Sequence, residues 1–294
     1  MTFRLALVGA GRMGATHARA LAASRSVEIA CVVDPSDAAA AQVDAPRATL
    51  DDLPDVDGAL VAVPTRLHVE VVSRIAELGL PVLCEKPCGL TVEETRRIAA
   101  LGVRLQVAYW RRFVPALREL RERILAGELG RVAYVACAQL DELPPARGFR
   151  DPRSSGGIVV DMGVHELDQI RWLTGAEIAE VGGVAGSVGW DEPVEGDPEL
   201  VALAAVTDAG VAAHILLARR YPPGETVRVE VVGLEGAERI DAVAPPDGDE
   251  TIAAALRAQA EDFALGRGDG ATVNDAIAAL EVAQRANAAL RLGV

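Results

Sequence analysis

One residue type occurs a single time in this chain. Lys86 is the only lysine, and it stands among 29 lysine and arginine residues in a chain of 294. Arginine is always charged and presents a wide planar fork, whereas lysine is a compact ammonium whose pKa shifts readily when it is desolvated. Since the two exchange freely on a solvated surface, the retention of one ammonium indicates a chemical role for Lys86 rather than a leftover surface lysine.

The residues around Lys86 place it at the end of a buried strand. Residues 78–84 form an apolar run that is predicted to be a parallel strand after a helix. Loops that leave the carboxyl ends of such strands are where open α/β sheets bind ligands. The turn Glu85-Lys86-Pro87 is therefore predicted to border a ligand site. The bond before Pro87 is predicted to be cis, which would hold Lys86 in a tight turn.

A glycine-rich turn near the N-terminus has the setting of a nucleotide site. Gly9-Ala10-Gly11-Arg12-Met13-Gly14 follows a strand predicted at residues 4–8 and precedes a helix predicted at residues 15–23. The next predicted strand, residues 27–33, is followed by Asp34, twenty positions after Gly14. A G-x-G-x-x-G turn between strand and helix, with an acidic residue at this distance, predicts a dinucleotide-binding unit rather than a nucleotide-free α/β unit.

Each part of this turn has a physical role. Gly9 allows the tight turn, Gly11 lets a pyrophosphate approach the backbone, and Gly14 lets the helix and strand close up. Asp34 is predicted to accept hydrogen bonds from the adenosine ribose and to repel a 2′-phosphate, which favours NAD over NADP. The residues predicted to bind the cofactor are Gly9, Gly11, Arg12, Met13, Gly14, Asp34, Pro64, Thr65, Glu85 and Lys86.

A strand tip and two histidines lie near these residues in the sequence. Pro64 and Thr65 leave the end of a strand predicted at residues 58–63, where they would border the cofactor. His17 lies on the first predicted helix and His68 on the helix after Thr65. A lone helix histidine is more often a packed side chain than a catalyst, so both are interpreted as structural.

A second set of chemical residues lies in the other half of the chain. Asp161 and His165 are four positions apart, so in a helix both side chains point to one face. A carboxylate in this position can hold an imidazole tautomer and stabilise its protonated form, as a general base requires. Such pairs are also common as structural features. A catalytic role is favoured here because Lys86 and a predicted dinucleotide site occur in the same chain.

The elements that must position these residues differ between the two halves. Strands and helices alternate up to residue 114, which predicts an α/β fold whose N-terminal domain, residues 1–114, is a doubly wound Rossmann domain. Residues 115–294 are predicted to form an α+β domain with a largely antiparallel open sheet, covered by helices on one face and by a subunit on the other. Its strands are predicted at residues 131–140, 178–188, 200–207, 211–219 and 226–232, and its last helices at 252–265 and 273–292.

The overall composition excludes several classes of function. A net charge of −14 argues against a basic surface for nucleic acid and against adhesion to an anionic membrane. No apolar run approaches the ~20 residues of a spanning helix. Cys84 and Cys88 flank Lys86, but no second pair or nearby histidine completes a metal set, so no metal site is predicted. The cysteines are interpreted as buried thiols of a cytoplasmic protein.

Three motifs together resemble a known family. The glycine turn, the Glu85-Lys86-Pro87 tripeptide and the run Gly156-Gly157…Asp161…His165…Asp168 are similar to the glucose–fructose oxidoreductase/inositol dehydrogenase (Gfo/Idh/MocA) family, over nearly the whole chain. The stretches at residues 108–115, 218–221 and 229–233 are most similar to its inositol 2-dehydrogenases. The chain departs from them in having Pro222-Pro223-Gly224 after Tyr221 and in being shorter. These departures bear on the substrate and leave the reaction type unchanged.

The resemblance implies an enzyme and a set of site residues. It implies Lys86, Asp161 and His165 as the catalytic set, Arg111 and Tyr221 near the substrate, and a sheet that often forms an interface in a homo-oligomer, a dimer or a tetramer. The expected reaction is NAD-dependent oxidation of a secondary alcohol on a cyclic polyol or sugar. Two alternatives remain open. One is transient oxidation of a sugar by a tightly held cofactor with no net redox change, and the other is a non-catalytic NAD sensor.

Overall fold

The computed structural model describes residues 2–190 and 192–292. The chain divides into two compact units. The first takes the residues up to Phe113 together with Ile252–Ile277, and the second takes Val114–Thr251 and the residues from Ala278 onwards. The sequence places the junction within one residue of this point, but it assigns all of residues 115–294 to the second domain.

The first unit is built on a parallel sheet of five strands. The strands are β1 (Phe3–Val8), β2 (Val27–Val33), β3 (Gly58–Val61), β4 (Val82–Cys84) and β5 (Leu105–Val107), in the order β2-β1-β3-β4-β5. The helices are α1 (Arg12–Leu21), α2 (Asp37–Ala40), α3 (His68–Glu77) and α4 (Val92–Ala99), with single 3₁₀ turns at Thr65–Leu67 and Trp110–Phe113. The order reverses at β1, as in a doubly wound sheet, so the predicted fold class of this half is confirmed.

The core of this unit explains why a late segment belongs to it. Leu5, Leu7 and Leu60 on adjacent strands are buried, as expected for a parallel sheet covered on both faces. Ala260 and Phe263 pack into the same cluster. The assignment of residues 252–277 to the second domain is therefore wrong. Sequence order misleads here because the chain leaves the first unit after Phe113 and then returns to its core with residues 252–277.

The strand that leads to Lys86 is shorter than predicted. The apolar run at residues 78–84 suggests a strand throughout, yet α3 continues to Glu77 and Leu78 caps it with its side chain 43% exposed. Only Val82–Cys84 pairs in the sheet, between β3 and β5. The carboxyl end of the strand is placed as predicted, so Glu85 and Lys86 still follow it.

The second unit carries a mostly antiparallel sheet of seven strands. The strands are β6 (Val132–Leu140), β7 (Ile178–Gly186), β8 (Leu200–Thr207), β9 (Ala212–Ala218), β10 (Thr226–Gly233), β11 (Ala237–Val243) and β12 (Leu290–Leu292), in the order β11-β10-β6-β9-β8-β7-β12. The helices that precede or separate them are α5 (Pro115–Leu125), α6 (Arg147–Arg150), α7 (Pro152–Ser155) and α8 (Val164–Thr174). The last two helices of the chain are α9 (Gly248–Leu265) and α10 (Val273–Ala289).

The pairing confirms an α+β sheet and adds two strands. β6 pairs with β9 and β7 with β12 in parallel, and the other neighbours are antiparallel. The sequence predicts neither β11 nor β12, and its last helix runs too far. Leu290–Leu292 leaves α10 and pairs with β7. The sequence did not indicate this strand, because three residues are too few to show a strand period.

One face of the second sheet is exposed within a single chain. Along β8 and β9 the side chains alternate between buried and exposed. Leu203 and Ile215 are buried, whereas Ala202, Ala204 and Leu216 on the other face are exposed. The predicted covering of this face by a subunit stays a prediction. Within the described part of the chain, no helix combines the length and the apolar character that crossing a bilayer needs.

Candidate functional site

The glycine-rich turn between β1 and α1 has the backbone geometry of a nucleotide site. Gly9 has a φ of +96°, and a Cβ placed on it would lie 2.6 Å from the carbonyl carbon of Ala62. A Cβ on Gly14 would lie 2.0 Å from the Gly9 carbonyl oxygen, so only glycine allows α1 to approach the turn. A Cβ on Gly11 would meet no described atom within 4 Å. The space beside Gly11 is therefore open to a ligand, and these residues fit a pyrophosphate.

This difference gives a matched pair of variants. We expect Gly14→Ala to lower the melting temperature by about 5–10 °C, because relieving the clash costs about 1–3 kcal/mol. We expect Gly11→Ala to leave the melting temperature unchanged and to weaken NAD binding about tenfold, since its methyl group would occupy the space of the pyrophosphate. Calorimetry and a fluorescence titration with NAD would measure both. Unchanged NAD affinity in Gly11→Ala would contradict the assigned binding turn.

Asp34 is fixed at the edge of this turn. Its Oδ2 accepts a hydrogen bond from the Ala10 backbone N–H at 2.7 Å, and its Oδ1 accepts one from the Ser36 N–H at 2.8 Å. The carboxylate therefore lies beside the glycine turn, as the nucleotide motif requires. Arg47 donates to the Asp34 carbonyl oxygen at 2.8 Å and also pairs with Asp37.

Glu85 connects Lys86 to the helix of the glycine turn. The Glu85 Oε1 lies 2.7 Å from the His17 Nε2, and both side chains are buried. The Glu85 Oε2 accepts the Lys86 backbone N–H at 3.0 Å. Burial by itself raises the pKa of Glu85. The hydrogen bond from His17 and the nearby positive charges lower it by a larger amount, so the pKa lies below its usual value. Glu85 is thereby held as a carboxylate that fixes the backbone of Lys86.

His17 shows where the sequence interpretation was incomplete. It is fully buried, as a packed histidine would be, but it also joins α1 to the turn that carries Lys86. The signal in the sequence was its place one turn after Gly14 in α1, with a carboxylate beside the lone lysine. Nothing in the sequence brings residues 68 positions apart together. The Lys86–Pro87 bond is cis, as predicted.

The structure supports the predicted role of His68 but does not test that of the residues after β3. The His68 Nε2 lies 2.9 Å from the Val63 carbonyl oxygen, and its Nδ1 lies 3.6 Å from the Cys84 sulfur. Burial lowers the pKa of His68, so the buried imidazole favours its neutral form. The structural interpretation of His68 is confirmed. Pro64 and Thr65 lie at the carboxyl end of β3, where the 3₁₀ turn begins, and their contact with a cofactor stays a prediction.

Asp161 and His165 lie in a segment that is not a regular helix. The sequence predicts one helix over both residues, but Val159–Gly163 is a π-helical turn and α8 begins at Val164. The turn starts after Gly156, where a Cβ would lie 2.5 Å from the Val160 Cβ. Such wide turns are frequent at functional sites. Asp161 and His165 are both buried, at 8% and 5% exposure.

The sequence did not predict the contact between Asp161 and Arg219. The Asp161 Oδ2 accepts a hydrogen bond from the Arg219 Nη1 at 2.6 Å, and the Arg219 Nη2 donates to the Asp197 Oδ1 at 2.7 Å. The Arg150 Nε donates to the Asp197 Oδ2 at 2.9 Å. We call these four buried residues the Asp161 network. They come from the π turn, the end of β9, the loop before β8 and α6, so no sequence spacing indicates them.

The predicted substrate residues lie in separate units. Arg111 is buried in the 3₁₀ turn at Trp110–Phe113, and its guanidinium lies 5.7 Å from the centre of the Trp110 ring. Tyr221 is half-buried and accepts the Gly224 N–H at its carbonyl oxygen in the turn after β9. Their contact with a substrate stays a prediction. Among the described residues, no group of three or more His, Cys, Asp or Glu side chains is placed to hold a metal ion.

Comparisons with known proteins match both units. The family model of oxidoreductases with an NAD-binding Rossmann fold matches residues 3–113, and that of the GFO/IDH/MocA C-terminal domain matches residues 117–238. The rhizopine catabolism protein MocA of Rhizobium meliloti is 44% identical over 97% of this chain and 94% of that protein. The scyllo-inositol 2-dehydrogenase (NAD(+)) of Bacillus subtilis is 34% identical over 80% of this chain and 72% of that protein.

A solved structure supports the same relationship. The chain superimposes on a putative myo-inositol dehydrogenase from Sinorhizobium meliloti with a TM-score of 0.89 and 29% identity. The match covers 98% of this chain and 97% of that one. The likeness therefore includes both sheets and the segments that carry the candidate site.

Proposed function

Because the chain belongs to the Gfo/Idh/MocA family of NAD-dependent oxidoreductases, we propose that it oxidises a secondary alcohol of a cyclic polyol or sugar. The observation that carries the proposal is the buried His17–Glu85 pair, which joins the helix of the NAD-binding turn to the turn of Lys86. This pair fixes the only lysine of the chain on the scaffold that holds the cofactor. We therefore propose that the Lys86 ammonium takes part in the reaction.

Three side chains carry the proposed chemistry. NAD, when bound, supplies the acceptor for the hydride that leaves the alcohol carbon. His165 takes the hydroxyl proton as the general base. Lys86 donates a hydrogen bond to the same oxygen and stabilises the negative charge that develops there. Asp161 orients His165 and contacts a neighbouring hydroxyl group. That Lys86 and His165 serve one substrate is itself part of the proposal.

The substrate class follows from the relatives and from the local sequence. One relative is named as a scyllo-inositol 2-dehydrogenase and another as a rhizopine catabolism protein. The Pro222-Pro223-Gly224 turn next to Tyr221 departs from the inositol enzymes, so a substituted inositol fits the proposal as well as inositol itself. Arg111 and Tyr221 are the side chains that we propose contact its hydroxyl groups.

The test is a screen for NADH formation. We expect absorbance at the NADH wavelength to rise with at least one of scyllo-inositol, myo-inositol, a rhizopine or an aldose. Substrate consumption without NADH would instead favour a transient oxidation with no net redox change. NAD binding without consumption of any of these compounds would favour a sensor. A His165→Asn variant run beside the wild type controls for contaminating dehydrogenases.

We also propose that the exposed face of the second sheet is covered by a second copy of this chain. The exposed face of β8 and β9 presents small and apolar side chains such as Ala202, Ala204 and Leu216, which a charged or nucleic-acid partner would not match. We expect light scattering to give a dimer or tetramer mass, and Leu216→Arg to lower that mass. A monomer for the wild type would contradict the proposal.

A further inference from the structure

We infer that Arg219 is a positioning residue for the proposed reaction, because it holds the Asp161 carboxylate in one orientation through Oδ2. The inference rests on the proposed function, because it needs Asp161 to act in catalysis.

The geometry of the contact supports this role. The Asp161 Oδ2 and the Arg219 Nη1 are 2.6 Å apart, and the exposed fraction of the Arg219 side chain is 1%. A charge-assisted hydrogen bond of this length in a site shielded from water strongly restricts rotation of the carboxylate. An unrestrained carboxylate exchanges its two oxygens, whereas a carboxylate held in this way is expected to keep one orientation.

Arg219 is itself fixed on its other side. Its Nη2 donates to the Asp197 Oδ1 at 2.7 Å, and its backbone N–H donates to the Glu199 carbonyl oxygen at 2.9 Å. Asp197 is in turn held by Arg150. These contacts fix the position of the guanidinium, so rotation of the Asp161 side chain would break its hydrogen bond to Arg219.

The charges of the Asp161 network explain how four ionised groups are tolerated in the interior. The two arginines and two aspartates alternate in sign along the chain of contacts and sum to zero. Burial tends to lower the pKa of Arg219, but the charges of Asp161 and Asp197 raise it above the usual value. Arg219 thus stays positive whenever the protein is folded. Removing one member alone leaves an uncompensated buried charge, which is strongly destabilising.

The test compares Arg219→Gln with Arg220→Gln. Arg220 is the next residue, and its Nη1 donates to the Trp190 carbonyl oxygen at 3.3 Å. We expect Arg219→Gln to lower kcat about 100-fold, since a small misplacement of a catalytic group has an effect of this size. NAD affinity is expected to stay unchanged because the variant leaves the glycine turn intact. Arg220→Gln is expected to keep the wild-type kcat.

A double-mutant cycle separates positioning from a general structural effect. In an Asp161→Asn background, we expect Arg219→Gln to cause little further loss of kcat, because it acts through the missing carboxylate. The same fold loss in both backgrounds would overturn the inference, as would a wild-type kcat in folded Arg219→Gln. If Arg219→Gln does not fold, Arg219→Lys, which keeps the buried positive charge, takes its place in the cycle, with a smaller loss of kcat expected and little further loss in the Asp161→Asn background.

The failure of the inference and that of the proposed function give different results. Wild-type kcat in Asp161→Asn would refute the catalytic role of Asp161 and the inference with it. An inactive Asp161→Asn beside a fully active Arg219→Gln would refute only the role of Arg219. Arg219→Lys adds a graded readout. We expect it to recover part of the lost kcat, because an ammonium can hold one of the two carboxylates.

Discussion

Replacing Lys86 with arginine is expected to lower kcat about 100- to 1,000-fold, the size of effect seen when a donor to a developing oxyanion is lost. The positive charge is kept, so loss of charge cannot explain the effect. A guanidinium is wider, planar and longer than an ammonium, and it would place its donors away from the alcohol oxygen. The backbone of residue 86 cannot shift to compensate, because its N–H is held by Glu85, which is held by His17.

The measurement separates chemistry from cofactor binding. We expect Lys86→Arg to bind NAD as tightly as the wild type in a fluorescence titration, while NADH formation under saturating substrate falls. Arg97→Lys is the matched control, since it makes the reverse exchange on the exposed side of α4 in the same unit. This control is expected to keep its kcat. A Lys86→Arg enzyme with near-normal turnover would remove Lys86 from the mechanism.

Chemical rescue of Lys86→Ala tests whether a compact ammonium is required at this position. Lys86→Ala leaves a space the size of an alkylammonium, and we expect added methylamine to restore part of the lost activity. Guanidine, which differs from it in shape, is expected to restore less. Equal rescue by both compounds would show that any positive charge suffices, contrary to the proposed role of a compact donor.

The parts of the fold that the sequence predicted are those set by local chemistry. The glycine turn needs an open backbone at Gly11 and close approaches at Gly9 and Gly14, and each requirement is visible in the residue type. Thr91 and Glu94 form a capping box at the start of α4, as their spacing of three residues indicates. The strand β2 is a nearly continuous apolar run that ends before Asp34, as is typical of a parallel strand, and its bounds agree with the prediction.

What the sequence did not predict depends on contacts between distant residues. The π turn at Asp161 looks like an ordinary helix in sequence, because a wide turn changes the hydrogen bonds and not the residue types. Arg219 and Asp197 become partners only when β9 and the loop before β8 are folded. Phe263 belongs to the first core because the chain returns there. No local period contains such information, so the site was predicted residue by residue and its supporting contacts were not.

Replacing Asp34 and Asp37 together with serine is expected to move the cofactor preference from NAD towards NADP by about 1,000-fold, since a like charge beside a phosphate costs several kcal/mol. The Asp34 carboxylate lies beside the glycine turn, where we expect it to repel a 2′-phosphate. Arg47 already stands there, with its Nη2 on the Asp34 carbonyl oxygen, but Asp37 holds the other end of its guanidinium. Removing both carboxylates leaves an arginine of the kind that accepts a 2′-phosphate.

Single and triple variants identify which part of this arrangement sets the preference. Asp37→Ser alone is expected to keep the NAD preference, because Asp34 still repels the phosphate. Asp34→Ser alone is expected to weaken NAD use about tenfold through loss of the ribose acceptor. Adding Arg47→Ala to the double variant is expected to abolish the gain with NADP. If the ratio of kcat/KM for the two cofactors did not change in a folded double variant, Asp34 would not be the residue that reads the ribose, and the preference for NAD would have to come from elsewhere in the first unit.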